Sequence, residues 1–479
     1  MKQNIIIPAL LISAPVALIS CDDEFSDSNL ETVDIIVNYP SDINKADITD
    51  GFIKFRNISS GQVTEFRYPS STISILPGIY DVEYDANYTS PEGNLINIKG
   101  VARSVEVFAS GNVIRLDAYC NIATDDLIIA EVFFAGTLQN SGNQYNGDNY
   151  IKLYNNTDHI VYADGITLFE TKFLTTEKLD YTPDIMDEAV TVQALYTIPG
   201  SGKEHPVKPG EYILLADIGI DHRTANPNSF SLEHADWEWY DISTSANNLD
   251  IDSPLVENLD KWYCYTKSIW LLHNRGFKAF GIARIPVDRE TYLKDYWYTY
   301  NYELVTNAGT FPMSQSSYRL PNDWVVDVVN CSVEAEWQWN VTSPKLDMGW
   351  AYCGTIDKDK TRYFHAVRRK LLYLRKDGTP VFKDTNNSTE DFNSHVTPSE
   401  IELQHTITGL GQENSKIITY DGVTQPRPSA SYSRCVPEAA RARQGYRTHR
   451  FLARRASRQS VRRHDASRYR PISVDGHKI

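Results

Sequence analysis

Apolar and polar positions alternate with a period of two along much of this chain, which is the pattern of strands with one buried face. Val33, Ile35 and Val37 are interleaved with Asp34, Ile36 and Asn38, and Ile53 and Phe55 with Phe52, Lys54 and Arg56. Residues 57–61 (NISSG) then predict a turn. Ile73 and Ile75 lead into Leu76-Pro77-Gly78-Ile79-Tyr80-Asp81-Val82. There Pro77-Gly78 predicts a type II turn, with Gly78 taking the positive φ of its third position. Residues 104–108 and 113–116 close this first series. A second begins at Asp126: residues 127–134 form a continuous apolar run, 149–155 alternate, and Ile166, Leu168, 196–198 and 209–216 follow. Residues 271–277 predict a hairpin with Gly276 at its left-handed corner. The fold class expected is all-β, with two immunoglobulin-like β-sandwich domains in tandem, the second enlarged by insertions.

The first residues carry a different pattern. Lys2 supplies a short positive start, Ile5 to Ile19 an apolar stretch, and Ser20 a small residue before Cys21. The stretch is too short, and lacks the flanks, to cross about 30 Å of hydrocarbon as a helix. Leu18-Ile19-Ser20-Cys21 resembles a bacterial lipobox, which implies a signal peptide over 1–20 and a fatty-acylated Cys21 (palmitate among the acyl groups) as lipid anchor. The alternative is an ordinary secretory signal with an incidental cysteine. Asp22, Asp23 and Glu24 open an acidic tether (21–31) and resemble the acidic export signal of surface lipoproteins of Bacteroidetes. The membrane partner implied is lipid, reached through the acylated N-terminus, and the location implied is the outer membrane, facing the cell exterior.

Two further resemblances concern the fold. The L-P-G-x-Y-x-V element behind an alternating strand is similar to the prealbumin-like or carboxypeptidase-regulatory-like β-sandwich, over 32–121. Glu131, Tyr150, Leu153, Asn155, Gly165, Leu168, Pro209, Gly210, Tyr212, Asp217, Asn274 and Gly276 match in order the lamin-tail immunoglobulin-like fold, over about 126–285. That fold lacks the insertion between Asp217 and Lys267. A strand at 323–329 and the segment 368–383 complete the sheets, giving a domain over 126–395. With the lipobox, residues 1–395 resemble an uncharacterised family of Bacteroidetes surface lipoproteins, which implies fold and location but no established activity.

Composition agrees with sheet: 29 Tyr, 17 Phe and 9 Trp favour strands over helices. Charge divides the chain. Residues 425–479 hold 13 Arg and one Lys against Glu438, Asp465 and Asp475, so 14 − 3 = +11. Residues 1–424 keep 33 basic and 59 acidic residues, or −26, a body that repels phosphate and excludes nucleic acid as a partner. The arginine-rich segment reads as a disordered appendage or non-native tail rather than a basic arm, and 396–424 carry no clear assignment. Cys120, Cys264, Cys331 and Cys353 have no zinc-site spacing. They are either paired or buried thiols.

Candidate chemistry is sparse. No G-x-S-x-G, H-E-x-x-H, C-x-x-C or G-x-G-x-x-G is present, so no catalytic residues and no cofactor are expected. Gly200-Ser201-Gly202-Lys203 fails the phosphate-loop pattern and reads as a polar turn. Asp217, Asp221, His222 and His234 form the densest group of possible metal ligands, with Asp236 and Glu238 beside them as a weak carboxylate pair. All nine tryptophans fall between Trp237 and Trp350. Tyr296, Tyr298, Tyr300 and Tyr302 alternate with Trp297, so a strand there puts four tyrosines on one face. Such a face is either a cross-strand ladder or, with Trp237, Trp239 and Trp297, an exposed platform for a ligand or partner. The function expected is a non-catalytic binding module, serving a small nutrient of unidentified chemistry (a glycan, or an iron or cofactor complex) beside a TonB-dependent transporter. The alternatives are a structural or adhesive surface protein and, further off, a hydrolase.

Overall fold

The computed structural model describes residues 30–412, apart from 41–42, 70–71, 90–94, 122–123, 244–249, 267 and 376. Cys21, Asp22, Asp23, Glu24 and the arginine-rich 425–479 lie outside the described residues. Strands dominate, as the alternation predicts, and the chain divides into two compact units between Tyr119 and Cys120.

The first unit contains β1 (Glu31–Asn38), β2 (Ile48–Asn57), β3 (Val63–Tyr68), β4 (Ile73–Ile75), β5 (Gly78–Thr89), β6 (Leu95–Val107) and β7 (Asn112–Asp117), and ends on the first residue of β8 (Tyr119–Asn121). They form two sheets, ordered β4-β1-β7 and β3-β2-β5-β6-β8. Alternation decides the faces: Val33 and Val37 of β1, Ile53 and Phe55 of β2, and Tyr80, Val82 and Tyr84 of β5 are buried. Gly78 departs from expectation. It is absent from the residues with positive φ and opens β5. A Cβ there would stand 2.7 Å from Asn57 Nδ2 and 3.2 Å from the Tyr80 ring. The position needs glycine for close approach, not for turn conformation.

The second unit is built on two larger sheets. One runs β17 (Glu257–Asn258), β16 (Trp237–Glu238), β15 (Tyr212–Ala216), β10 (Tyr150–Asn155), β9 (Leu127–Phe133), β24 (Ala366–Arg369), β27 (Phe392–Val396). The other runs β20 (Trp297–Thr306), β21 (Gly309–Pro321), β13 (Ala189–Thr197), β12 (Ile166–Thr171), β19 (Ala279–Arg284), β22 (Val325–Ser332), β23 (Ala351–Tyr352), with β18 (Asp260–Cys264) also on β13. Two short ribbons, β11 (Val161–Tyr162) with β14 (Pro206–Val207) and β25 (Leu371–Leu374) with β26 (Pro380–Phe382), complete the strands. Ile129, Val132, Ile151, Leu153 and Leu215 of the first sheet pack with Leu168, Tyr196, Ile282 and Val329 of the second in one core.

The sandwich is covered on its outer faces as well. Phe133, Tyr150 and Leu214 pack under Phe230 and Leu232 from the loop after β15 and under Ile401 of α3 (Ser399–Gln404). Phe169, Val190, Leu195 and Val328 pack under Tyr292 of α1 (Arg289–Asp295) and Val341. Hence β9, β10, β12 and β13 are buried at every position, which explains why 127–134 lacks alternation. The folded unit also continues past 395 through α3, whose Ile401 is fully buried. Gly276 adopts φ +64° as expected, in a turn rather than a strand hairpin. Cys264, Cys331 and Cys353 are free thiols.

One ion cluster ties these layers. Arg369, at the end of β24, is 1% exposed at its side chain. Its Nε donates to Ile129 O of β9 at 2.7 Å and its Nη2 to Asp327 of β22. Nη1 donates to Asp384 Oδ1 at 3.0 Å and to Lys383 O at 3.1 Å, with Asp391 3.8 Å away. Asp327 in turn accepts the Ile129 N–H at 2.6 Å. Asp391, in α2 (Ser388–Asp391), accepts from Thr385 and Asn387. Replacing Arg369 with methionine would leave three buried carboxylates without their cation. A loss of about 3–5 kcal/mol is expected in guanidinium unfolding. Arg223→Ala, which removes an exposed pair with Asp221, should change the same curve by under about 1 kcal/mol.

Candidate functional site

The loop between β12 and β13 lies over the start of the β20–β21 hairpin. Thr182 exchanges two backbone hydrogen bonds with Asn301 at 2.9 Å each, which pins the loop to the outer edge of β20. On β20, Tyr298, Tyr300 and Tyr302 share one face, and Tyr300 is buried there. Phe173 and Tyr181 of the loop stack at 3.8 Å between centroids, 13° from parallel. Trp339 continues this wall at 6.2 Å from Tyr181, and Tyr300 meets Phe173 edge-on at 5.2 Å.

Phe173, Tyr181, Trp339 and Tyr298 border a cleft of about 150 Å³ that also takes in Lys178, Asp180 and Thr191. The wall is held from behind. Trp339 Nε1 donates to Leu174 O and Glu177 O at 2.8 and 3.0 Å, and Tyr298 shares a hydrogen bond with Thr191 Oγ1 at 2.5 Å. Burial pushes the Tyr298 hydroxyl up to about 12, so it remains a neutral donor at any physiological pH. Lys178, Asp180 and Asp184 are exposed at the rim. The cleft offers flat apolar faces, hydroxyls and rim charges. It brings together no nucleophile and base.

Several sequence-predicted positions fall elsewhere. Trp237 and Trp239 do not form a platform: they are 1% and 0% exposed and pack in the central core, because the insertion that carries them returns as β16 and extends the first sheet beside β15. Tyr296 does not join the tyrosine face, since it caps α1 and stacks on Tyr292 at 5.0 Å. Trp297 is 47% exposed on the opposite face of β20, edge-on to Tyr318 at 4.7 Å. Phe173, Tyr181 and Trp339 carry the cleft without having been singled out. Trp339 was visible only as one of nine tryptophans, and Phe173 and Tyr181 sit in a loop without periodicity.

Among the described residues the four expected metal ligands are not brought together as a site. Asp217 is buried, and burial, with Asp250, Asp148 and Asp241 near it, pushes its carboxyl well above the usual range. Asp221 caps the turn at His222–Thr224 and pairs with Arg223. His222 lies between Tyr145 Oη at 3.0 Å and Ile218 O at 2.9 Å, and burial lowers its proton affinity. His234 Nε2 is 3.0 Å from Glu400. Asp236 and Glu238 accept backbone N–H groups from Leu214, and from Gly219 and Ser253. The Gly200–Lys203 turn does not receive a phosphate. Its backbone wraps the carboxylate of Asp164, which accepts from Gly202 and Glu204 N–H groups.

A histidine pair marks another feature of this unit. The rings of His365 and His395 stack at 3.8 Å, 3° from parallel. His365 Nδ1 faces Tyr363 O, while His395 Nδ1 accepts from Gly354 N–H. Burial, then the neighbouring His395, pushes His365 down to about 4, against the weaker pull of Asp359. The fold therefore favours neutral imidazole. Its contribution is complete above the ordinary value of 6.5 and is lost as pH falls from there to about 4, a span of about 3 kcal/mol. In His365→Gln, which cannot ionise, the drop in unfolding free energy between pH 7 and pH 4 should shrink by most of that amount.

Residues 208–399 match the model of a family described as a protein of unknown function (DUF4876). The chain is also similar to a crystal structure of a DUF4876 family protein from Bacteroides thetaiotaomicron VPI-5482. Identity is 21%, the match covers 78% of this chain and 96% of that one, and the TM-score is 0.47. No curated protein matches the chain. The matches are thus to an uncharacterised family, as the sequence resemblance implied.

Proposed function

We propose that this protein is a lipid-anchored, non-catalytic binding protein of the outer membrane, whose aromatic cleft holds a small neutral ligand of the sugar class for a TonB-dependent transporter. The observation that carries the binding role is the cleft wall of Phe173, Tyr181 and Trp339, with Thr191 and Tyr298 hydroxyls beside it. Sugar rings present apolar C–H faces that lie on aromatic rings, and hydroxyls that need donors and acceptors at the edge. Aromatic walls with a few placed polar groups are the usual make-up of small-molecule sites. The anchor is supported by Leu18-Ile19-Ser20-Cys21 and the acids behind it.

A second reading, adhesion to a partner surface, is favoured by the far end of the β20–β21 hairpin. Val305 is 74% and Phe311 46% exposed there, and residues 304–318 carry no charge until Arg319. A thermal-shift screen of mono- and oligosaccharides separates the two. A sugar at 100 times its Kd should add about 2.7 kcal/mol to the intact protein, and Tyr181→Ala or Trp339→Ala should weaken its binding at least tenfold. If no saccharide shifts the transition while hairpin variants abolish cell attachment, adhesion is the function. Labelling with a palmitate analogue should mark the wild type and leave Cys21→Ser unmarked and released from the membrane fraction. An unlabelled wild type refutes the anchor.

A further inference from the structure

The corner between β11 and β14 gathers donor atoms that the cleft does not use. Val161 pairs with Val207 and Tyr162 with Pro206, and Ala163 N–H donates to His205 O at 2.9 Å. The ribbon thereby sets Asp164 opposite Glu204 and His205. The Asp164 carboxylate accepts the N–H groups of Gly202, Glu204 and His205 at 3.2, 2.9 and 2.8 Å. Three bonds orient the group, two to Oδ1 and one to Oδ2, so with about four lone-pair sites on an ionised carboxylate the accepting capacity that remains is on Oδ2.

One donor atom each of Asp164, Glu204 and His205 lies within 4.8 Å of the other two. An independent observation distinguishes this set from a chance meeting of acids. His205 Nδ1 is buried and has no hydrogen-bond partner, although Asp164 Oδ1 stands only 3.5 Å away. Ligands bound at about 2.1 Å and at a tetrahedral angle on one zinc ion are about 3.4 Å apart. The separation therefore fits two atoms sharing a cation rather than a proton. Trp237 lies edge-on to the imidazole at 5.0 Å and limits its rotation. Glu204 is exposed, so water can complete the coordination.

We propose that Asp164, Glu204 and His205 form a mononuclear zinc site that clamps the 200–207 loop to the turn after β11. One imidazole and two carboxylates suit Zn²⁺ better than Ca²⁺, which takes six to eight oxygen ligands. The oriented Asp164 and the packed ring are the supporting contacts such a site requires.

Full-length protein stripped with chelator and titrated with Zn²⁺ by calorimetry tests this assignment. His205→Ala and Glu204→Gln should each lower the affinity of the tightest equivalent at least tenfold, and His234→Ala should leave it unchanged. Zn²⁺ should raise the melting temperature of the wild type and of His234→Ala, but not of the other two. Glu204 is exposed, so Glu204→Gln remains informative if His205→Ala fails to fold. The proposal is overturned if the wild type takes up no stoichiometric Zn²⁺, if Glu204→Gln binds like wild type, or if His234→Ala is the variant that loses the ion.

Discussion

The second unit depends on the buried charge of Arg369. A guanidinium without water is tolerable only when most of its donors are used and its charge is met. Here the donors go to Ile129 O, Lys383 O, Asp327 and Asp384. Those groups come from β9, β22 and the segment before α2, so the requirement to satisfy one side chain fixes how both sheets and that segment meet. The constraint continues outward. Asp347 accepts from Ser388 N–H in α2 and from Asn330 N–H in β22, at 2.8 and 2.9 Å. Asn330 Oδ1 accepts from Val341 N–H at 3.0 Å, and Val341 and Trp339 border the cleft. The Trp339 ring that borders the cleft is thus placed by a chain of satisfied polar groups that begins in the core.

Burying both faces of both sheets has a second consequence. A two-layer sandwich leaves each sheet one wet face, and its strands alternate. In this unit the insertions and short helices cover the outer faces, so the central strands are buried throughout, Glu131, Lys152, Glu170 and Gln193 included, and the insertions turn inward. Trp237 and Trp239 show the effect, since the segment that looked like an exposed elaboration supplies two of the largest fully buried side chains. Glu238 between them points the other way and accepts two backbone N–H groups.

Much of the fold was legible because period two is a local property. β1, β2, β5 and β10 lie where alternation put them, and the stretch just before the expected domain end at 395 supplies Asp384 and Asp391 to Arg369. The site was legible only in part. Spacing put Tyr298, Tyr300 and Tyr302 on one face, but it could not say that α1 would run to Asp295 and exclude Tyr296. Nor does spacing reveal what lies on that face. Phe173 and Tyr181 are about 120 residues away from β20 in sequence, and the contact is settled by the Thr182–Asn301 bridge. The ligand group at 217–234 looked dense in sequence, yet its members serve caps, ion pairs and the core. Asp164 and His205, 41 residues apart, meet only because a two-residue ribbon closes between them.

Charge and rigidity together narrow what the cleft accepts. Residues 1–424 carry −26 by their sequence, and at the rim Asp180 and Asp184 outnumber Lys178, so a phosphorylated or polycarboxylate ligand would approach against the net field. A neutral ligand meets no such barrier. The wall is also set before binding: Trp339 is anchored to two carbonyls and Tyr298 to Thr191, so little side-chain entropy remains to be lost. Flat, fixed rings contribute through dispersion and exclusion of water, which tolerate variation in the ring laid on them, and edge hydroxyls discriminate by hydrogen-bond geometry. In the proposed binding role, this arrangement would suit a class of neutral rings better than one charged compound.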